Sequence, residues 1–187
     1  MPDLQDAGVT AEAFDALGDT SGYELVDGVI QEKAVSEISG WVGGLIFSLL
    51  FEYARQNGGR AYPDGTDFRC FPNPRQTRKP DVSYIRAERL QPLQTGPCRT
   101  APDLAVKVIS PNDNVVDLDN KLRDYRAANV SLVWIVNPFS RTVRVIDAAS
   151  GTGETLDESA ALDGRDVLPG FTLPVARLFA DLEDAEA

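Results

Sequence analysis

The stretch Pro102-Asp103-Leu104-Ala105-Val106-Lys107-Val108-Ile109-Ser110 decides how this chain folds. Residues 104–109 are a near-continuous apolar run, as in a central strand covered on both faces, and Lys107 is its only charge. Ser110-Pro111-Asn112-Asp113 breaks the run. Residues 116–128 then read as a helix, with Leu118, Leu122, Tyr125 and Ala128 on one face, and residues 131–136 as a second apolar strand. Asn137-Pro138 turns the chain, and residues 142–146 return as another strand.

Upstream, residues 81–85 alternate and carry β-branched side chains, so they read as a strand, entered through Arg78-Lys79-Pro80-Asp81. Residues 71–79 form a proline-containing basic loop and residues 91–100 another loop. Residues 59–71 read as a strand interrupted near Pro63-Asp64-Gly65. Ser36 is placed to cap a helix over residues 37–56, where Ile38, Trp41, Val42, Leu45, Leu49 and Tyr53 recur at helical spacing. Asn57-Gly58-Gly59 stops that helix. Its apolar stretch, residues 41–51, contains glycines and a serine and reads as buried. Tyr23-Glu24-Leu25-Val26-Asp27-Gly28-Val29-Ile30-Gln31 reads as a β-hairpin around an Asp-Gly type I′ turn. A short helix over residues 11–16 precedes it. The C-terminal part reads as a short strand or two, a loop around Gly170 and a short helix. This order is neither regular βα alternation nor an all-β series. It predicts an α/β or α+β domain with a mixed central sheet and helices on both faces.

A length of 187 residues fits one domain with a real core. We expect a single domain over residues 1–187: a polar lead-in over 1–20, a core over 21–147 and an acidic extension over 148–187. No apolar run reaches membrane-spanning length, and the N-terminus lacks a signal-peptide pattern, which points to the cytoplasm. Cys70 and Cys98 match no zinc spacing and are expected to be reduced. The chain has no histidine, which excludes Ser-His-Asp chemistry, His-ligated zinc and a histidine base. Catalysis would have to use carboxylates, lysine, tyrosine or a hard, oxygen-ligated metal. The net charge of −11 argues against non-specific nucleic-acid binding by the chain as a whole. The charge is uneven, however. Arg69, Arg75, Arg78, Lys79, Arg86, Arg89 and Arg99 surround Asp81 and Glu88, and acids dominate after Glu154. Such a basic loop is either a phosphate contact or a set of solvated charges.

Several pieces together resemble the Uma-type restriction endonucleases, members of the PD-(D/E)XK superfamily. They are Tyr23-Glu24-Leu25-Val26-Asp27-Gly28, Lys79-Pro80-Asp81-Val82-Ser83-Tyr84-Ile85 and residues 102–111, then Lys121-Leu122-Arg123-Asp124-Tyr125, Val133-Trp134-Ile135-Val136-Asn137-Pro138 and Leu168-Pro169-Gly170-Phe171. Each is weak alone; in this order and spacing they are specific. The resemblance implies a restriction-endonuclease-like sheet flanked by helices, with the hairpin at its front. It implies a Mg²⁺- or Mn²⁺-dependent phosphodiesterase acting on DNA, with Asp81 a metal ligand and Glu24 an acid near the site. Lys121 would stand in for the superfamily lysine, and Arg75, Arg78 and Lys79 would contact phosphates. A homodimer is expected, since cutting both strands favours two sites related by a two-fold axis.

The chain departs from the family pattern twice. Val35 and Ser36 stand near the usual histidine, and Lys107 stands where the family carries a glutamate, the second metal ligand. At an effective dielectric near 20, two unit charges 4 Å apart interact by about 4 kcal/mol, and a divalent ion doubles that. Lys107 is therefore expected to pair with Asp81 and fill the metal position with its own charge. Three readings stay open: a Mg²⁺-dependent endonuclease in which another acid such as Glu24, Asp64 or Asp67 restores the site, a degenerate nuclease fold that binds without cutting, or a dimerising interaction module.

Overall fold

The structure, a computed structural model, describes residues 8–33 and 35–182. Helix α1 (Ala11–Asp15) is capped by Thr10, whose hydroxyl accepts the Ala13 N–H. Strands β1 (Tyr23–Val26) and β2 (Val29–Glu32) form the expected hairpin. Asp27 and Gly28 take φ of 49° and 84°, the two positive values that a type I′ turn requires. Helix α2 (Glu37–Asn57) begins with a reciprocal cap: the Ser36 hydroxyl accepts the Ser39 N–H, and the Ser39 hydroxyl accepts the Ser36 N–H. It ends where Gly58 and Gly59 adopt positive φ.

The remaining elements are β3 (Arg60–Pro63), β4 (Val82–Ile85), β5 (Leu104–Val108), α3 (Val115–Ala127), β6 (Leu132–Asn137), β7 (Thr142–Asp147), β8 (Gly153–Leu156), β9 (Ala161–Gly164) and β10 (Leu168–Pro174). One six-stranded sheet runs β3-β4-β5-β6-β7-β8. Only β5 and β6 are parallel, and α3 is the crossover between them. Both faces of the sheet are covered, which is why β4, β5 and β6 are buried almost throughout. On one face α2 and the β9–β10 hairpin pack over Val82, Tyr84, Leu104, Val106 and Trp134. On the other, α3 packs Tyr125 and Ala128 over Ala105, Val133 and Ile135. This is the mixed α+β architecture that the order of elements implied.

Four expectations change. The buried stripe of α2 is Val42, Gly43, Ile46, Leu50 and Ala54; Trp41 is 57% exposed and Phe51 48%. The helix is apolar nearly all round over residues 38–51, so periodicity did not single out one face. Residues 148–182 are no appendage: β8 extends the central sheet, and Leu162, Leu168, Leu173, Leu178 and Phe179 belong to the main core. The acids of these strands, Glu154 and Asp163, occupy exposed positions. Gly170 lies within β10, where the pairing with β9 shifts register. Residues 59–71 supply a strand only over β3, followed by isolated bridges from Phe68 to Arg78 and Cys98.

Candidate active site

Asp81 enters β4 from the loop after Pro80, and its N–H donates to the Val106 carbonyl of β5 at 3.0 Å. Because alternate residues share a face, β5 turns Lys107 toward the same side as Ala105, beside Asp81. The hairpin brings Glu24 and Lys33 to this end of the sheet. It is latched to the loop before β4 by Leu25 and Thr77, whose backbones and hydroxyl exchange hydrogen bonds at 2.8 and 3.0 Å.

The Asp81 carboxylate is fully engaged. Oδ2 accepts the Val108 N–H at 2.6 Å and lies 3.6 Å from Lys107 Nζ. Oδ1 lies 2.8 Å from Lys33 Nζ. Lys33 also binds Asp64, and Lys107 makes its shorter contact, 2.8 Å, with Asp113. Asp113 is itself fixed, since its carboxylate accepts the Ser110 N–H. The expected Lys107–Asp81 pair is therefore present but secondary: Asp113 is the closer acid to Lys107, and Lys33 the closer cation to Asp81. Burial works to lower the Lys33 pKa, but Asp81 and Asp64 outweigh it and raise it, so this ammonium keeps its proton.

Glu24, 4% exposed, anchors a second cluster. Oε1 accepts the Lys79 N–H at 2.7 Å, and Oε2 takes Lys121 Nζ at 2.9 Å and an Arg78 N–H at 3.3 Å. Burial opposes its ionisation, but Lys121 and Arg78 override that and hold the pKa at about 2. Arg78 then donates to Asp124 through Nε at 2.9 Å and a terminal nitrogen at 2.5 Å. Gln76 donates to the same carboxylate at 2.8 Å.

The structure thus brings Glu24, Asp81, Lys107 and Lys121 to one end of the sheet. A small cleft there is lined by Glu24, Lys33, Lys107, Asp113, Asp117 and Lys121. Two of the three expected phosphate contacts are corrected. Arg78 is 2% exposed and spans Glu24 and Asp124. Lys79 is also 2% exposed, and its ammonium donates to the Thr20 and Ser21 carbonyls. Both residues tie the hairpin down from inside. Arg75 remains partly exposed on the loop. Sequence reading missed Lys33, because nothing in its neighbourhood marks it; only the hairpin's length and tilt carry it to Asp81. Asp113 carried one usable signal, its place three residues after Ser110, which suits a local side-chain-to-backbone bond.

These donors do not fit a divalent metal. Both oxygens of Asp81 and of Glu24 already accept N–H groups or face ammonium ions. Among the described residues, no three Asp, Glu, Cys or His side chains are grouped as a metal site needs. Asp64, held by Lys33, does not restore the set, and Asp67 faces Arg69.

Residues 11–176 match the sequence profile of the Uma2 family, described as "Putative restriction endonuclease". A crystal structure described as "a putative nuclease belonging to DUF820 from Anabaena variabilis ATCC 29413" superposes with a TM-score of 0.80 at 19% identity, covering 92% of this chain and 98% of that one. At that identity the likeness is one of fold. None of the curated proteins matches the chain significantly.

Proposed function

Because the chain belongs to the Uma2 family, we propose that it is a nuclease-fold protein that has exchanged metal-dependent cleavage for binding, with Lys107 and Lys33 standing in for the divalent cation. The observation that carries this reading is the pair of buried ammonium groups on Asp81. A divalent ion there would meet two fixed positive charges, each opposing it by about 8 kcal/mol at 4 Å and an effective dielectric near 20. Nucleic acid is the substrate class of the family. In this chain, however, the basic residues nearest the site point inward and the net charge is −11. That balance favours a protein partner over a phosphate backbone.

A second observation favours self-association. Residues 38–51 of α2 carry no charge, and their outward face presents Ile38, Trp41 and Phe51 to solvent. A two-fold contact sets a patch against itself, so charges near the axis would meet their own kind; a charge-free helix face avoids this. We infer a homodimer through α2. Among the described residues no helix is long and apolar enough to cross a membrane, and two free thiols, Cys70 and Cys98, suit a cytoplasmic setting.

Titration calorimetry with Mg²⁺ and Mn²⁺, with plasmid cleavage in parallel, tests the first reading on the unmodified chain and on Lys107→Glu. The expected result is neither binding nor cleavage by the unmodified chain. Metal-dependent cutting by that chain would overturn the reading. Sedimentation of the unmodified chain beside Trp41→Asp tests the dimer: a dimer that dissociates in the variant is expected, and a monomer at micromolar concentration would refute it.

A further inference from the structure

β3 and β4 are antiparallel, with Pro63 opposite Val82 and Arg60 opposite Ile85. Arg60 and Ile85 therefore lie at the end of the sheet away from Asp81, roughly 10 Å along the strands. A cleft of about 190 Å³ opens there between the sheet edge and the loop before β5, lined by Arg60, Tyr62, Ile85, Leu93, Pro97 and Arg99 among others. Arg60 and Tyr62 share one face of β3. The Tyr62 ring is set by an edge contact with Phe68, ring centres 5.9 Å apart. One terminal nitrogen of Arg60 donates to the Tyr62 hydroxyl at 3.2 Å and the Gln91 carbonyl at 3.3 Å, which fixes the guanidinium at the mouth.

Among the described residues, Arg60 makes no ion pair and Arg99 makes neither an ion pair nor a hydrogen bond. Their neighbours Arg86 and Arg89 differ, since both bind the buried carboxylate of Asp103, at 3.0 and 2.7 Å. Burial, and next the charge of Arg99, push the nearby Arg69 guanidinium below its ordinary pKa. Two arginines without acids in one cleft are unexpected in a chain with 29 acidic and 18 basic residues. The walls between them are apolar, and Leu93, 73% exposed, stands uncovered at the rim.

We propose that this cleft binds a small organic anion with an apolar body, an aromatic carboxylate or a phosphate monoester, held by Arg60 and Arg99 and stacked against Tyr62, Ile85 and Leu93. Guanidinium forks match both anionic groups. The volume is below the roughly 300–1,000 Å³ of clefts for drug-sized ligands, which selects a single ring rather than a dinucleotide. The site does not depend on the state of Asp81 or on whether the chain cuts nucleic acid.

Titration calorimetry with phenyl phosphate and with benzoate, against inorganic phosphate and benzyl alcohol, tests the assignment. One aromatic anion should bind with unit stoichiometry and more tightly than either control. The preferred anion tells ester from acid. Arg99→Gln should weaken binding about tenfold or more, as loss of a charge-assisted hydrogen bond does. Arg60→Gln should do the same, and Arg177→Gln, exposed elsewhere, should leave affinity unchanged. Among the described residues no hydrogen bond or ion pair depends on the Arg99 side chain, so its variant isolates the ligand contact from loop rearrangement. Failure of both aromatic anions at millimolar concentration, equal binding of inorganic phosphate, or unchanged affinity in Arg99→Gln would overturn the proposal.

Discussion

The two ends of β4 treat charge in opposite ways. At the Asp81 end the ammonium groups around the candidate site have carboxylates: Lys33 has Asp64 and Asp81, Lys107 has Asp113 and Asp81, and Lys121 has Glu24, while Lys79 is held by backbone carbonyls. At the Ile85 end, Arg60 and Arg99 face a cleft that no acid lines among the described residues. A charge taken out of water must be matched from inside the fold, whereas one at a cleft mouth stays hydrated until a ligand arrives. On the readings proposed above, the first end is closed to a metal ion and the second is open to an anion.

The largest expected difference between the two ends is in stability. Asp81→Ala removes the acid facing Lys33 and Lys107 and should cost about 3–5 kcal/mol, as loss of one partner from a buried ion pair does. Urea unfolding at neutral pH measures it. A cost below ~1 kcal/mol would mean that Asp64 and Asp113 suffice and that Asp81 is dispensable to the lysines.

Glu24 gives the next effect. Its folded pKa of about 2 lies below its ordinary 4.5, so its ionisation stabilises the fold fully above about pH 4.5. That contribution is lost as pH falls toward 2. The span corresponds to about 3 kcal/mol. The stability gap between the unmodified chain and Glu24→Gln should therefore be widest at neutral pH and narrow through pH 4 to 3 in urea titrations. A gap independent of pH would show that hydrogen-bond geometry, not charge, holds the hairpin.

Lys107→Glu should reverse the character of the first end by grouping the introduced carboxylate with Asp81 and Asp113. Millimolar Mn²⁺ should then stabilise the variant by about 1–3 kcal/mol, the range expected when ligand exceeds its dissociation constant 10- to 100-fold. The unmodified chain should not respond. A variant equally indifferent to Mn²⁺ would point to Lys33 as the stronger barrier, and the double variant Lys33→Met, Lys107→Glu would decide that. The smallest effect belongs to the other end. Arg99→Gln should change stability by less than about 0.5 kcal/mol, because no described residue depends on it. A larger loss would mean that Arg99 supports the loop rather than waiting for a ligand.

Much of the fold was readable locally because its signals are local. Asp27-Gly28 demands a tight hairpin, Ser36 caps α2, and a run such as Leu104-Ala105-Val106 belongs in the middle of a sheet. The side of α2 that turns inward was not readable, since Trp41 and Val42 are equally apolar and only the sheet beneath selects between them. Of the candidate site, Asp81, Glu24, Lys107 and Lys121 were legible, since their order along the chain carried the family resemblance. Lys33, Asp113 and Asp124 were not, and Asp64 was read only as a spare metal acid, not as the partner of Lys33.

The sequence by itself determined the element order, the hairpin and cap chemistry, the family and the presence of a lysine where a glutamate is expected. Only the tertiary structure decided which cation neutralises which acid, that Arg78 and Lys79 face inward, and that Arg60 and Arg99 share a cleft. The reason is physical. Backbone propensity and periodicity act over a few residues, whereas electrostatic pairing depends on distances in space, and pairs such as Lys33–Asp81 and Lys121–Glu24 join residues far apart along the chain, 97 positions in the second case.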